Sequence, residues 1–136
     1  MSLSRIFDVA GSALSAQSTR LNTVASNLAN ADVASATAEG AYRAKHPVFA
    51  AVLREAAAAG GGVRVAGITE SEQPPRIEYM PGHPLADEEG YVYFSNVNTV
   101  EEMADMMSAS RSYQNNVEML QTIKELMLRT LQLGNG

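Results

Sequence analysis

The sequence predicts an α+β fold in which long N-terminal and C-terminal helices pair as a coiled-coil-like rod, with a small antiparallel β-rich insertion between them. Apolar residues recur at helical spacing over residues 3–28 and again over residues 100–131. Between these segments, glycine and proline are frequent and apolar residues fall in short alternating runs. We therefore expect a helical core formed by residues 1–30 and 99–136, and a linker with a β-rich insertion over residues 31–98.

The first helix carries an apolar row that steps by threes and fours, with Gln17 as its one polar member. Such a row is typical of the a/d seam of helices that pack nearly parallel. Small polar residues flank the row in place of the Glu/Lys pairs that usually cover a solvated helix. This face is predicted to contact other helices; a polar face that simply meets water is the alternative. The residues predicted at this interface are Leu14, Gln17, Leu21, Asn22, Val24, Asn27, Leu28 and Asn30.

The second helix is predicted to begin with a capping box, in which Thr99 accepts a hydrogen bond from the backbone of Glu102 and the Glu102 carboxylate reaches back. Gly134 is expected to end the helix. Its apolar seam is interrupted at Ser110 and Lys124. Methionine is frequent here, because flexible thioethers fill irregular gaps and adapt to several neighbours. The residues predicted at an interface are Met103, Met106, Tyr113, Val117, Leu120, Met127 and Leu131.

The middle of the chain is predicted to be a small sheet behind an irregular linker. Pro47 opens an alanine-rich run that predicts a short helix over residues 47–56, closed by the glycines at 60–62. Residues 63–69 alternate as in a strand, with a bulge expected near Gly67. Two further short strands, over residues 76–80 and 91–94, would complete a hairpin or a three-stranded antiparallel sheet.

Composition argues against several classes of protein. The net charge of -5 and the lack of a Lys/Arg run speak against nucleic-acid binding, which needs clustered cations. The absence of cysteine excludes disulfides, thiolate metal sites and a thiol nucleophile. The N-terminus lacks a basic region followed by an apolar core, so a cleaved secretory signal is not expected. No stretch approaches the roughly 18 apolar residues of a membrane-spanning helix.

The middle segment offers no credible active site. The glycines at 60–62 lack the Lys-Ser/Thr that follows in a phosphate loop. His83 with the acidic residues at 87–89 contains metal-ligand types, but the second histidine, His46, is remote in sequence and the acidic trio precedes Gly90 as in many hairpin turns. We therefore predict no catalytic, cofactor-binding or metal-ligating residues, and a small hydrolase is the least favoured class.

Two stretches of the sequence carry specific motifs. The first, at residues 13–30, reads ALSAQSTRLNTVASNLAN, and its pattern consists of Gln17, Leu21, Asn22, Asn27, Leu28, Ala29 and Asn30. The second, at residues 79–92, reads YMPGHPLADEEGYV and is followed by Asn96-Val97-Asn98, Glu102-Met103 and residues 108–117. Together they resemble the bacterial flagellar rod and hook family, and the resemblance covers nearly the whole chain. It is weaker over residues 31–62 and at Ser95, where the family usually has proline.

This resemblance implies a structural subunit of the proximal rod of the flagellar basal body, which transmits torque and assembles by helical packing. It also implies export by the flagellar type III apparatus without a cleaved signal, followed by assembly in the periplasm. The implied partners are further copies of the chain, the rod proteins FlgB, FlgF and FlgG, and the base protein FliE. No nucleic acid, cofactor or small-molecule substrate is implied. The alternative function is a soluble coiled-coil adaptor or chaperone, which would form a stable dimer.

Overall fold

A computed structural model describes residues 3–52 and 61–136 as an α+β fold. Two long helices, α1 (Leu3–Ala29) and α2 (Thr99–Gly134), stand at the ends of the chain. Between them, the described residues form the strands β1 (Ala34–Ser35), β2 (Lys45–Val52), β3 (Gly62–Glu70), β4 (Arg76–Tyr79) and β5 (Tyr91–Phe94). The predicted fold class is confirmed, and both helices follow the bounds that their apolar periodicity predicts.

The two helices pack against each other in antiparallel orientation. Pairing of Ala34 with Phe94 brings the C-terminal end of α1 close to the start of α2. Farther along the pair, Arg20 of α1 forms an ion pair with Asp105 of α2. Small and branched side chains fill the space between the helices, because they let the two backbones approach closely. The buried apolar residues of the two helices are Ala10, Ala16 and Val24 of α1, and Ala109 and Ile123 of α2.

α2 extends well past the N-terminal end of α1. Antiparallel pairing from Arg20 and Asp105 places Leu3 opposite about residue 122 of α2. The helix continues from there to Gly134, so about a dozen residues, or ~18 Å of helix, lie beyond the described start of α1. The burial of α2 side chains ends at the same point, since Ile123 is the last buried residue of the helix. We call residues 124–134 the overhang.

The insertion forms two antiparallel sheets. One has three strands in the order β1-β5-β4, and the other pairs β2 with β3. The predicted strands over residues 76–80 and 91–94 are confirmed as β4 and β5, which pair with each other. Gly90 closes the loop between them at φ 87°, and a Cβ there would lie 2.9 Å from the Tyr79 ring, so the position requires glycine. Val92 of β5 is completely buried and centres this sheet.

The prediction of a short helix over residues 47–56 is wrong for the part that the structure describes. Residues 45–52 form β2, which pairs with β3 over its whole length. Alanine favours a helix locally, but pairing with the strongly β-prone β3 decides the conformation. Pro47 is compatible with a strand because β3 is the only described strand that pairs with β2, so the other edge of β2 needs no N-H donor there. Residues 53–56 and Gly60 lie outside the described residues.

The bulge predicted near Gly67 is confirmed. The register between β2 and β3 shifts between Val48 and Phe49, which pair with Gly67 and Val65. Ala66 is therefore the additional residue on β3. The bulge increases the local twist and lets this two-stranded sheet follow the surface of α1, which both of its strands contact.

Asn98, and not Thr99, caps the N-terminus of α2. Its backbone is extended, and its side-chain oxygen accepts hydrogen bonds from the N-H groups of Val100 and Glu101 at 3.1 and 3.3 Å. The N-H group of Glu102 donates to the backbone oxygen of Asn98. The predicted capping box is therefore wrong. Asparagine caps a helix at least as well as threonine, so Thr99 becomes the first helical residue.

Candidate assembly surface

Asn27 fastens the two-stranded sheet to α1. Its side chain is completely buried. Its Nδ2 donates to the backbone oxygen of Lys45 at 2.8 Å, and its Oδ1 accepts from the Lys45 N-H at 2.9 Å and from the Tyr42 hydroxyl at 3.0 Å. By donating to and accepting from the same backbone residue, the amide acts as a strand neighbour and fixes where β2 begins.

This burial corrects part of the predicted interface. Asn27 and Val24 were both assigned to contacts with other helices, yet the fold covers both within the subunit. Val24 lies in the contact between the helices, whereas Asn27 is covered by the β2–β3 sheet, which packs on α1. The sequence motif marks Asn27 correctly as a special position, but its observed contacts are internal.

Ser12 makes a second link between α1 and the sheet. Its hydroxyl donates to the backbone oxygen of Val9 at 2.7 Å and accepts from the Val63 N-H at 3.1 Å. A Cβ on Gly62 would lie 2.9 Å from the Ser12 hydroxyl, so the strand approaches the helix closely. Part of the small polar face of α1 is therefore used by β3 and not by another helix.

Asn96 joins the two sheets to the start of α2. Its Oδ1 accepts from the Ala44 N-H at 2.7 Å, and its Nδ2 donates to the backbone oxygen of Gln73 at 2.8 Å. One side chain thus connects the segments before β2 and after β3. Sequence reasoning noted the Asn96-Val97-Asn98 motif but assigned it no role. The available signal was two asparagines directly before a helix, a residue type that caps helices and bonds to nearby backbone.

One ion pair connects the two long helices in the described part of the chain. Arg20 contacts Asp105 across the helix interface, with side chains 23% and 34% exposed. The Gln17 side chain also accepts a hydrogen bond from Arg20, at 3.5 Å. Sequence reasoning missed the pair because it depends on the register between two distant segments. A signal was present, since Arg20 is the only charged residue of α1 after Asp8.

Apart from the buried Val24 and Asn27, the predicted interface residues divide into two groups in the structure. Most are half-buried within the subunit: Leu14, Gln17, Leu21, Leu28, Asn30, Met106, Val117, Leu120 and, in the overhang, Met127. The others are exposed: Asn22, Met103, Tyr113 and Leu131. Asn22 lies at a depression of about 250 Å³ between α1 and the β2–β3 sheet.

α2 also exposes apolar residues that the prediction did not include. Val100 and Met107 lie with Met103 on its outer face, away from α1, and are 74% and 65% exposed. The overhang exposes Leu126, Leu128 and Leu133 beside the predicted Leu131. A single a/d row accounts for one face only, which is why these residues were missed. A helix that is apolar on several faces but covered on one is typical of a protein that contacts other chains.

The loop between β4 and β5 is held by its own polar side chains. Asp87 accepts hydrogen bonds from the N-H groups of Tyr91 and Glu89 at 2.8 and 3.0 Å and from the Tyr93 hydroxyl at 3.1 Å. The bond from the Tyr91 backbone contributes most to holding the pKa of Asp87 below its ordinary value, and the other bonds act in the same direction. The same contact with Asp87 raises the pKa of Tyr93. His83 accepts from the Leu85 N-H at 3.1 Å.

These loop residues therefore have structural partners. Within residues 3–52 and 61–136, no group of three His, Asp or Glu side chains has the arrangement of a metal site. Over the same residues, neither helix is apolar enough along its length to cross a membrane.

Comparison with known proteins identifies the family. Residues 7–37 match the family model described as flagella basal body rod protein, and residues 88–133 match that of the flagellar basal body rod FlgEFG protein C-terminal. The flagellar basal-body rod protein FlgC of Escherichia coli O6:H1 is 57% identical over 98% of this chain and 99% of its own length. FlgC of Salmonella typhimurium is 55% identical over the same shares. FlgC of Borreliella burgdorferi is 33% identical over the full length of both chains. The chain therefore belongs to the FlgC family of flagellar basal-body rod proteins.

Proposed function

We propose that this chain is a structural subunit of the proximal rod of the flagellar basal body, and that its paired helices transmit torque. Membership of the FlgC family supports this role. The observation that carries it is the set of apolar residues that α2 exposes on faces and along a length that α1 does not cover. The alternative, a soluble coiled-coil adaptor or chaperone, has no support from the relatives, all of which are named as rod proteins.

Neighbouring subunits would cover these residues in the rod. The overhang alone presents four leucines, and burying each one is worth about 1.5–3 kcal/mol. In such a contact, one surface of a subunit binds a different surface of the next subunit. Repetition of this contact builds a helical assembly. We assign this surface to the exposed residues Met103, Tyr113 and Leu131 together with Val100, Met107 and the remaining overhang leucines. Asn22 would contribute from α1.

The half-buried residues of the predicted interface have a different role in this proposal. The α1–α2 pair is shaped by six of them, which also present its rim to neighbours: Leu14, Leu21, Leu28, Met106, Val117 and Leu120. Met127 belongs to the overhang. Residues 1–30 and 99–136 would form the helical core of the rod, and residues 31–98 the portion outside it. The role is structural and not catalytic.

The partners and the route of assembly are also part of the proposal. We expect contacts with further copies of this chain, with the rod proteins FlgB, FlgF and FlgG, and with the base protein FliE. We expect export through the flagellar type III apparatus without cleavage of a signal, and assembly in the periplasm. The relatives are named as flagellar basal-body rod proteins, and this supports the rod as the place where the chain assembles.

Complementation tests this function. In a bacterium that lacks its own FlgC, the unaltered chain is expected to restore rods and swimming. Leu131→Asp is expected to abolish rods while the chain is still exported, because a charge on the overhang blocks burial without touching the α1–α2 contact. Gln132→Asp, also exposed and one residue away, is the matched control and is expected to swim. Normal rods with Leu131→Asp would show that neighbours do not cover the overhang.

A further inference from the structure

Glu102 is a buried acidic residue within the contact between the helices. It lies in the first turns of α2 and is only 6% exposed. Its Oε2 atom is buried and has no hydrogen-bond partner among the residues that the structure describes. Buried polar atoms in proteins almost always have a partner, so an unpartnered carboxylate oxygen requires an explanation.

The neighbouring side chains of α1 use their donors elsewhere. The Arg20–Asp105 ion pair sets the register, so Glu102 lies level with Thr23, one helical turn farther along α1. The Thr23 hydroxyl donates to the backbone of its own helix at 2.8 Å. Asn27, the next turn along, donates to the start of β2. The hydrogen bonds of the Arg20 guanidinium go to Asp105 and Gln17.

Burial without a partner makes Glu102 unfavourable for the paired state. A carboxylate loses its hydration when α1 covers it and gains no direct hydrogen bond in return. The positive end of the α2 dipole offsets this loss in part. The adjacent residue Glu101 receives the same dipole benefit while exposed, so it carries no such penalty. An apolar residue of similar length would fit the helix contact better than Glu102.

We propose that Glu102 is a built-in weak point that keeps the α1–α2 pair easy to open in the free subunit. This inference rests on the proposed function, in which the chain passes through an export apparatus and completes its packing only in the rod. A pair that closed too tightly before export would resist unfolding. Packing against neighbours then supplies the stability that the isolated pair lacks.

Unfolding of the purified full-length chain in urea tests the first half of the proposal. Glu102→Met replaces the carboxylate by an apolar group of similar length and is expected to raise the folded-to-unfolded ratio about tenfold. Glu102→Gln removes only the charge and is expected to raise it about threefold. Glu101→Gln is the matched control in the same turn and is expected to cause no rise. A lower ratio for both Glu102 variants would overturn the proposal, because it would show that the carboxylate stabilises the pair.

Export and swimming test the second half. Glu102→Met is expected to reduce the amount of exported chain several-fold compared with Glu101→Gln, at equal cellular levels. Unchanged export and swimming by a stabilised Glu102→Met chain would overturn the role as a weak point. Failure of the unaltered chain to restore rods would instead refute the proposed function, whereas the urea results on the purified chain would stand by themselves.

Discussion

α1 and α2 form one pair but are used in different ways. α1 is covered by α2 and also by β2 and β3, and Val9 is its only exposed large apolar residue within the described chain. α2 contacts no other helix or strand of the described chain besides α1. It exposes large apolar residues along its whole length, from Val100 to Leu133, on more than one face. The difference indicates that α1 organises the subunit, whereas α2 presents the surface for neighbours.

The largest effect is expected at the buried amide of α1. Asn27→Ala removes three hydrogen bonds and leaves the backbone N-H and oxygen of Lys45 without the amide that bonds them, so we expect a loss of about 3 kcal/mol in the free energy of unfolding. Asn22→Ala, on the exposed face of the same helix, is expected to change it by less than about 0.5 kcal/mol. Urea unfolding measures both. Equal losses of stability for Asn27→Ala and Asn22→Ala would contradict the conclusion that α1 organises the subunit.

The N-terminal cap of α2 stabilises the helix itself and is not part of its exposed apolar surface. Asn98→Ala removes the side chain that accepts from two N-H groups, and we expect a loss of about 1 kcal/mol. Thr99→Ala should be nearly neutral, because Thr99 does not cap the helix. Thermal unfolding of the two variants compares them. A larger loss for Thr99→Ala would restore the capping box that the structure replaces.

The ion pair between the helices is expected to have a smaller effect. Arg20 and Asp105 are partly exposed, so solvent screens their attraction, and we expect a coupling of about 0.5–1 kcal/mol. A double-mutant cycle with Arg20→Ala and Asp105→Ala isolates this coupling. Zero coupling would indicate that the two helices are held in register by apolar packing alone.

The smallest effect concerns the loop between β4 and β5, which is held independently of both helices. The pKa of Asp87 is lower in the folded chain than its ordinary value. Its stabilising contribution is therefore present above about pH 3.9, the ordinary value, and is lost as the pH falls through the lower folded pKa. Amide exchange at Tyr91 should accelerate over that acidic range. Asp87→Asn should abolish this pH dependence, and its persistence in the variant would assign the effect to another group.

The sequence was sufficient to predict the parts of the fold that depend on local pattern. Apolar periodicity located both helices, and alternation with Gly67 located β3 and its bulge. β2 was missed because its alanines favour a helix locally, and only pairing with β3 makes it a strand. The Thr99 capping box failed because Asn98, one residue earlier, supplies an equally good cap.

The candidate surface was predictable only in part. The resemblance marked Asn27 as a special position, but whether it faces inward depends on where the β2–β3 sheet packs. Met103 and Leu131 were selected by the seam and are exposed, whereas Val100 and Met107 lie off the seam. Which residues of α2 are covered depends on how it pairs with α1, a contact between distant segments that no local pattern contains.

Thiol labelling of assembled rods tests the central claim most directly, that the exposed apolar residues of α2 on its outer face and overhang form the assembly surface. The chain has no cysteine, so Met107→Cys and Leu131→Cys each introduce a single thiol. A maleimide reagent is expected to label both positions rapidly in the free subunit and at least about tenfold more slowly in intact rods, with full labelling restored once the rods are dissociated. Equal labelling in rods and in free subunits at both positions would contradict the account.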